Sequence, residues 1–187
     1  KIKIIKKNKS HFSLKSNIDG KKILVDILDT GKNTGTGGRI KKAYIKLRLK
    51  KDFLATYGDG LSNVSIKRLI NFHYKKKSQL TLTSVRPKQR YGILKIKKDK
   101  VKYFDNSKKK SDVYINGGFF VISKDIIKLI KKDKTYLENE PFKKILNRGK
   151  LFTYKHKGFW ASMDTLKDKI DLDNLAKKSK RLPWKVI

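Results

Sequence analysis

Two short stretches place a carboxylate where the chain leaves a run of strand-forming residues. Tyr57-Gly58-Asp59-Gly60 closes the apolar run from Phe53, and Phe159-Trp160-Ala161-Ser162-Met163 leads into Asp164-Thr165. In open α/β sheets ligands gather beyond the carboxyl ends of the strands, and glycines on both sides of Asp59 let backbone and carboxylate approach a phosphate-bound cation. Mg²⁺ held together with nucleotide phosphates takes only one or two protein carboxylates, so Asp59 and Asp164 form a candidate metal pair for phosphoryl-transfer chemistry. Each acid also has a plainer reading: Asp59 as a turn residue, Asp164 as the N-cap of the helix that follows.

Two further motifs could bind rather than react. Asp29 to Arg39 holds four glycines and three threonines ahead of a helical pattern. Such a loop can offer backbone NH groups and hydroxyls to an anion or a base edge, with Arg39 supplying charge. Ile115-Asn116-Gly117-Gly118-Phe119-Phe120 sets an amide beside two residues without side chains, which suits hydrogen bonding to sugar hydroxyls; a β-bulge is the alternative. His73 on an apolar helix face and His156 beside a glycine read as packed residues rather than bases. Tyr154, Phe159, Trp160 and Trp184 could stack on a base, although core or subunit contact is their commoner use.

These residues need elements to hold them. Strand signals run over Ile23–Leu28, Phe53–Tyr57, Leu80–Val85, Tyr114–Ile122, Leu151–His156 and Phe159–Met163, and Tyr91–Phe104 alternates as two strands joined through Lys97-Lys98-Asp99-Lys100. Helical spacing marks Ile40, Ala43, Tyr44 and Leu47, then Ile66, Leu69, Ile70 and His73. Further helices are predicted after Ser123, from Pro141 to Gly149, and from Asp164 through Leu166, Ile170 and Leu175. The alternation predicts one α/β domain over residues 1–187 with a largely parallel central sheet. Residues 1–22 are basic with little apolar periodicity, apart from a strand signal at Ile2–Ile5 and a turn signal at Asn17–Gly20, and read as the tail of a segment that precedes them.

Composition removes several classes. There is no Cys, which excludes a disulfide framework, a thiolate zinc site and a thiol nucleophile, and which favours a reducing, cytoplasmic setting. No run reaches the roughly 20 apolar residues that cross a bilayer, and no secretion signal opens the chain, so no membrane partner is expected. The single Met is Met163 and the chain opens Lys1-Ile2-Lys3, so the natural start is expected to lie upstream. A net charge of +34 raises nucleic-acid binding, but only seven of the 50 basic residues are Arg, and Lys is spread through every segment. Specific phosphate and base readers use the bidentate Arg fork, so this pattern reads as a solvated surface, with nucleic acid as the disfavoured rival.

Taken in order, Asp29-Thr30-Gly31, Thr36-Gly37-Gly38-Arg39, Thr56-Tyr57-Gly58-Asp59-Gly60, Ile115 to Val121, Glu140-Pro141, Gly158-Phe159-Trp160, Met163 to Lys169 and Pro183-Trp184-Lys185 resemble the glucose-1-phosphate cytidylyltransferases, from about residue 23 to the end. The resemblance implies a nucleotide-diphospho-sugar transferase (Rossmann-like) α/β fold with a mostly parallel sheet and helices on both faces, truncated at its amino end. It implies transfer of a cytidylyl group from CTP to α-D-glucose 1-phosphate, giving CDP-glucose for O-antigen and lipopolysaccharide precursors, in the cytoplasm and in an assembly of copies. On that pattern Asp59 and Asp164 bind Mg²⁺, while Thr34, Arg39, Gly58, Gly92, Asn116 and Gly117 lie against nucleotide or sugar phosphate. Transferases using UTP or dTTP are the rivals within the class. Two departures stand out. The family's Gly-Gly-x-Gly-Thr-Arg phosphate loop would precede residue 1, so this chain alone is expected to be inactive. Where the family has Phe-x-Glu-Lys-Pro, this chain reads Phe104-Asp105-Asn106-Ser107-Lys108, with Lys108 a candidate substitute.

Overall fold

The computed structural model describes residues 3–8, 10–18, 21–87, 91–105 and 113–185. In chain order the elements are β1 (Lys3–Asn8), β2 (His11–Ile18), β3 (Lys21–Leu28), α1 (Thr36–Lys46), β4 (Phe53–Thr56), β5 (Gly60–Ser62), α2 (Ile66–Lys75), β6 (Leu80–Val85), β7 (Ile93–Lys97) and β8 (Lys100–Asp105). They continue with β9 (Ile115–Ile122), a 3₁₀ helix (Lys124–Leu129), α3 (Glu140–Asn147), β10 (Leu151–Lys155), β11 (Trp160–Ser162) and α4 (Leu166–Lys178). Two compact units divide these elements: Lys1–Lys51 with Lys124–Arg148, and Asp52–Ser123 with Gly149–Ile187.

The first unit corrects the reading of the opening residues. β1, β2 and β3 form an antiparallel three-stranded sheet in that order. Its buried positions are polar, which is why no apolar period announced it. His11 and Ser13 are buried, His11 Nε2 lies 2.7 Å from Asp26 Oδ1, and the Ser13 hydroxyl donates to the same carboxylate oxygen. The expected turn at Asn17–Gly20 and the start of the strand at Ile2 lie partly outside the described residues. Apolar burial in this unit centres on Ile126, Ile127, Ile130, Leu137 and Ile145, from the 3₁₀ helix through α3. Pro141 sits in the first turn of α3, and Gly149 follows its end at φ +62°, as the sequence suggested.

The second unit is built on a sheet of order β10-β6-β9-β4. β4, β6 and β10 run one way and β9 runs the other, so only β10 with β6 is a parallel pairing. The mostly parallel expectation therefore holds for strand direction and fails for the ladder. The physical reason is the connection: β9 follows β6 through the β7–β8 hairpin, with no helix among the described residues between them, and a return without a helical crossover allows antiparallel pairing. α2 packs on the sheet through buried Leu69 and His73, and His73 Nδ1 is 2.9 Å from Thr81 Oγ1 on β6. Thr81 and Thr83 therefore mark the α2 face, while Leu82 and Ser84 point to the opposite face. A second, two-stranded ladder pairs β5 with β11.

Candidate active site

Gly58, Asp59, Asn116, Gly117 and Asp164 all lie on segments that meet at one edge of the second unit. The carboxyl ends of β4, β6 and β10 and the amino end of β9 share that edge, because Thr56 pairs with Phe119, Val85 with Ile115, and Lys155 with Ser84. Tyr57-Gly58-Asp59-Gly60 turns from β4 into β5, and β5 pairs antiparallel with β11 through Gly60↔Ser162, Leu61↔Ala161 and Ser62↔Trp160. The ladder extends one step further, since the Met163 amide donates to the Asp59 carbonyl at 3.0 Å. Opposite residues of an antiparallel pair lie about 5 Å apart at Cα and one residue adds about 3.8 Å, so the Cα atoms of Asp59 and Asp164 are within about 9 Å.

The N-cap of α4 is Thr165, not Asp164. The Thr165 hydroxyl accepts from the Asp168 amide while the Asp168 carboxylate accepts from the Thr165 amide, a complete capping box. That leaves Asp164 exposed, with its carboxylate accepting only a 2.7 Å hydrogen bond from the neighbouring Ser162 hydroxyl among the described contacts. Asp59 is likewise exposed, and a Cβ on Gly58 would meet nothing within 4 Å. No group of three acidic or histidine side chains gathers among the described residues. The donor set is therefore two carboxylates on adjoining backbones, facing open space.

Asn116 and Gly117 adjoin this pair. Leu82 pairs with Phe120 and Ser84 with Asn116, so β9 carries two extra residues there and bulges at Gly117-Gly118. The bulge is thus present, and it aims Asn116 at the turn: Asn116 Nδ2 donates to the Tyr57 hydroxyl at 3.4 Å, and its Oδ1 accepts from the Gly118 amide at 2.9 Å. Trp160, one of the aromatics that could stack on a base but are more commonly used in packing, donates from Nε1 to the Gly117 carbonyl at 2.8 Å and ties β11 to the bulge. Phe159 packs against Trp184 at 5.7 Å, and His156 lies 3.1 Å from the Phe159 carbonyl, a structural contact. Gly92 precedes β7 where a Cβ would lie 2.6 Å from the Phe104 ring, so its small size serves the hairpin. Asn106, Ser107 and Lys108 lie outside the described residues.

Thr34 and Arg39 belong to the first unit, and two glycine amides of the loop that carries them are already engaged by carbonyls. The Gly35 amide donates to the Asp133 carbonyl at 2.9 Å and the Gly38 amide to the Thr135 carbonyl at 3.1 Å. A Cβ at Gly38 would overlap the Asp133 carbonyl. Thr34 is buried with its hydroxyl donating to the Thr30 carbonyl, while Arg39 is exposed and donates to Thr30 Oγ1 at 2.7 Å. These glycines let helix α1 approach residues 133–137, a packing role that a single sequence does not distinguish from anion binding.

No family model matches the chain. Over 161 residues it is 41% identical to glucose-1-phosphate cytidylyltransferase from Salmonella typhimurium, a match covering 86% of this chain and 62% of that protein. Over 143 residues it is 29% identical to mannose-1-phosphate guanyltransferase 2 from Candida glabrata, covering 72% of this chain and 39% of that protein. This chain is a relative of the sugar-1-phosphate nucleotidyltransferases. The crystal structure of HddC from Yersinia pseudotuberculosis complexed with GMP-PN superposes with a TM-score of 0.55 at 25% identity, over 78% of this chain and 63% of that one. The fold is accordingly the mixed α/β fold of the nucleotidyltransferases, and the chain spans about 62% of the length of the cytidylyltransferase that it matches. No helix among the described residues is long and apolar enough to cross a membrane.

Proposed function

We propose that this chain carries the sugar-phosphate half of a glucose-1-phosphate cytidylyltransferase, which converts CTP and α-D-glucose 1-phosphate to CDP-glucose and diphosphate. The observation that supports it most directly is the approach of the Asp59 and Asp164 backbones, far apart in sequence, where the Met163 amide donates to the Asp59 carbonyl. Two exposed carboxylates beside glycine and open space match Mg²⁺, which binds through one or two carboxylates and fills its remaining positions with water and phosphate oxygens. When bound, the ion would neutralise charge on the phosphate oxygens.

The chain's own residues do the remaining work. Gly58 leaves room for a phosphate to approach the backbone, Asn116 offers an amide at the same edge, and Trp160 fixes the bulge that orients Asn116. The reaction needs positioning more than covalent chemistry. An oxygen of the sugar phosphate forms a bond to the α-phosphorus of CTP while the bond from that phosphorus to the bridging oxygen of diphosphate breaks. A cytoplasmic setting and a place in nucleotide-sugar supply for lipopolysaccharide follow from that substrate pair. The test is turnover in a full-length enzyme carrying this sequence, with CTP, UTP and dTTP compared. Asp59→Asn and Asp164→Asn should each abolish diphosphate release with the fold intact; full activity in both would end the assignment.

A further inference from the structure

We infer that Asn63 is a positioning residue for the two acids: it pins β5 to β11 at one end of their ladder and so fixes where Asp59 and Asp164 stand at the other. The inference rests on the metal-pair reading above. The register runs unbroken beyond both strands. Asn63 lies opposite Phe159, then Ser62, Leu61 and Gly60 lie opposite Trp160, Ala161 and Ser162, and Asp59 lies opposite Met163. The ladder itself specifies this alignment weakly, because it is three pairs long, includes a glycine, and none of its six residues is buried. Trp160 anchors β11 to β9 and not to β5.

The Asn63 end supplies what the ladder lacks. The Asn63 amide donates to the Phe159 carbonyl at 3.2 Å, and the Phe159 amide donates to Asn63 Oδ1 at 2.9 Å. Main chain and side chain of one residue thus grip both backbone groups of the residue opposite. The Phe159 carbonyl also accepts from the Ser62 hydroxyl at 2.9 Å and lies 3.1 Å from His156 Nε2, so three donors converge on an oxygen with two lone pairs. A carbonyl only accepts, so Nε2 carries the hydrogen. Gly158 makes the grip possible, since a Cβ there would overlap Asn63 Oδ1 and press on the His156 ring. Moved by one residue, Phe159 would face Ser62 or Val64, neither of which offers a side-chain carbonyl to its amide.

The experiment titrates the 187-residue chain with Mn²⁺, which favours the same oxygen ligands as Mg²⁺ and broadens nearby amide resonances in nuclear magnetic resonance spectra. Asn63→Ala and Gly158→Ala should each raise the Mn²⁺ concentration that half-broadens the Asp59 and Asp164 amides about tenfold, the usual cost of losing a group that orients a metal ligand. Asn63→Asp keeps an oxygen for the Phe159 amide and should restore the wild-type value within about twofold. Hydrogen exchange at the Met163 amide should quicken in the first two variants and not in the third. Gly149→Ala loses stability without touching the ladder and should leave Mn²⁺ affinity unchanged. If Asn63→Ala lowers the urea midpoint while Mn²⁺ affinity and Met163 exchange stay as in the wild type, the grip serves stability alone and the proposal is overturned. Broadening that survives Asp59→Asn and Asp164→Asn would refute the metal pair, and this proposal with it. Broadening lost in those two variants but kept in Asn63→Ala and Gly158→Ala would overturn the role of Asn63 while the pair stands.

Discussion

Gly118 sits at φ +76° inside the bulge, and a Cβ built there would lie 2.8 Å from Cδ2 of Tyr57. Gly118→Ala therefore meets two penalties. Holding a residue with a side chain in the left-handed region costs about 1–2 kcal/mol. Pushing a methyl group into a packed ring costs about 1–3 kcal/mol more, since the Tyr57 ring is seated edge-on against buried Phe120 at 5.4 Å and the Tyr57 amide is bonded to the Gly118 carbonyl at 3.3 Å. The expected loss is about 2–5 kcal/mol, a drop of about 1–2.5 M in the urea midpoint for a chain of this size. Gly149 provides the control, with φ +62° but nothing within 4 Å of an added methyl group, so Gly149→Ala should cost only the dihedral penalty of about 1–2 kcal/mol. Equal midpoint shifts for the two variants, measured by tryptophan fluorescence, would refute the claim that the bulge is pressed against Tyr57.

Three more outcomes are expected. His73 is buried and its imidazole is held below the ordinary value of 6.5, by burial first, with Asp52 opposing. Below about pH 6.5 the unfolded chain takes up a proton that the native chain resists, so stability should fall as pH drops, by at most about 1.4 kcal/mol per unit, and thermal melts of His73→Gln should show a shallower pH dependence there. Thr165→Ala removes one half of the α4 capping box and should lower stability by about 1 kcal/mol, readable as a urea midpoint shift. Trp160→Phe keeps an aromatic ring but loses the 2.8 Å bond to Gly117, so it should cost about 1 kcal/mol and speed amide exchange at Gly117 and Gly118.

What could be read from residues alone were the features with local causes. The strand ending at Gly58-Asp59-Gly60, the lysine-rich hairpin turn between β7 and β8, and the Pro141 and Gly149 limits of α3 all rest on backbone preferences of a few neighbouring residues. Features decided by distant partners were hidden. The first sheet holds buried His11 and Ser13 with half-buried Asp26 in a polar cluster, which leaves no apolar alternation to detect. The loop after β3 was legible as glycine-rich but not in purpose, because the Asp133 and Thr135 carbonyls, far along the chain, occupy its amides. Asp164 was a good cap on paper, but the cap is Thr165, because Asp168, one turn into the helix, completes a capping box with it.

The β5–β11 ladder has three paired positions, and the meeting of the two acids depends on its phase. A slip of one position would set Asp59 across from Ser162 or Asp164 instead of Met163, while leaving every residue of both motifs unchanged. A single residue inserted between His156 and Phe159 is therefore a more searching alteration than many substitutions: it leaves every residue of both motifs in place, yet can shift the register on which the proposed pairing of the two acids depends.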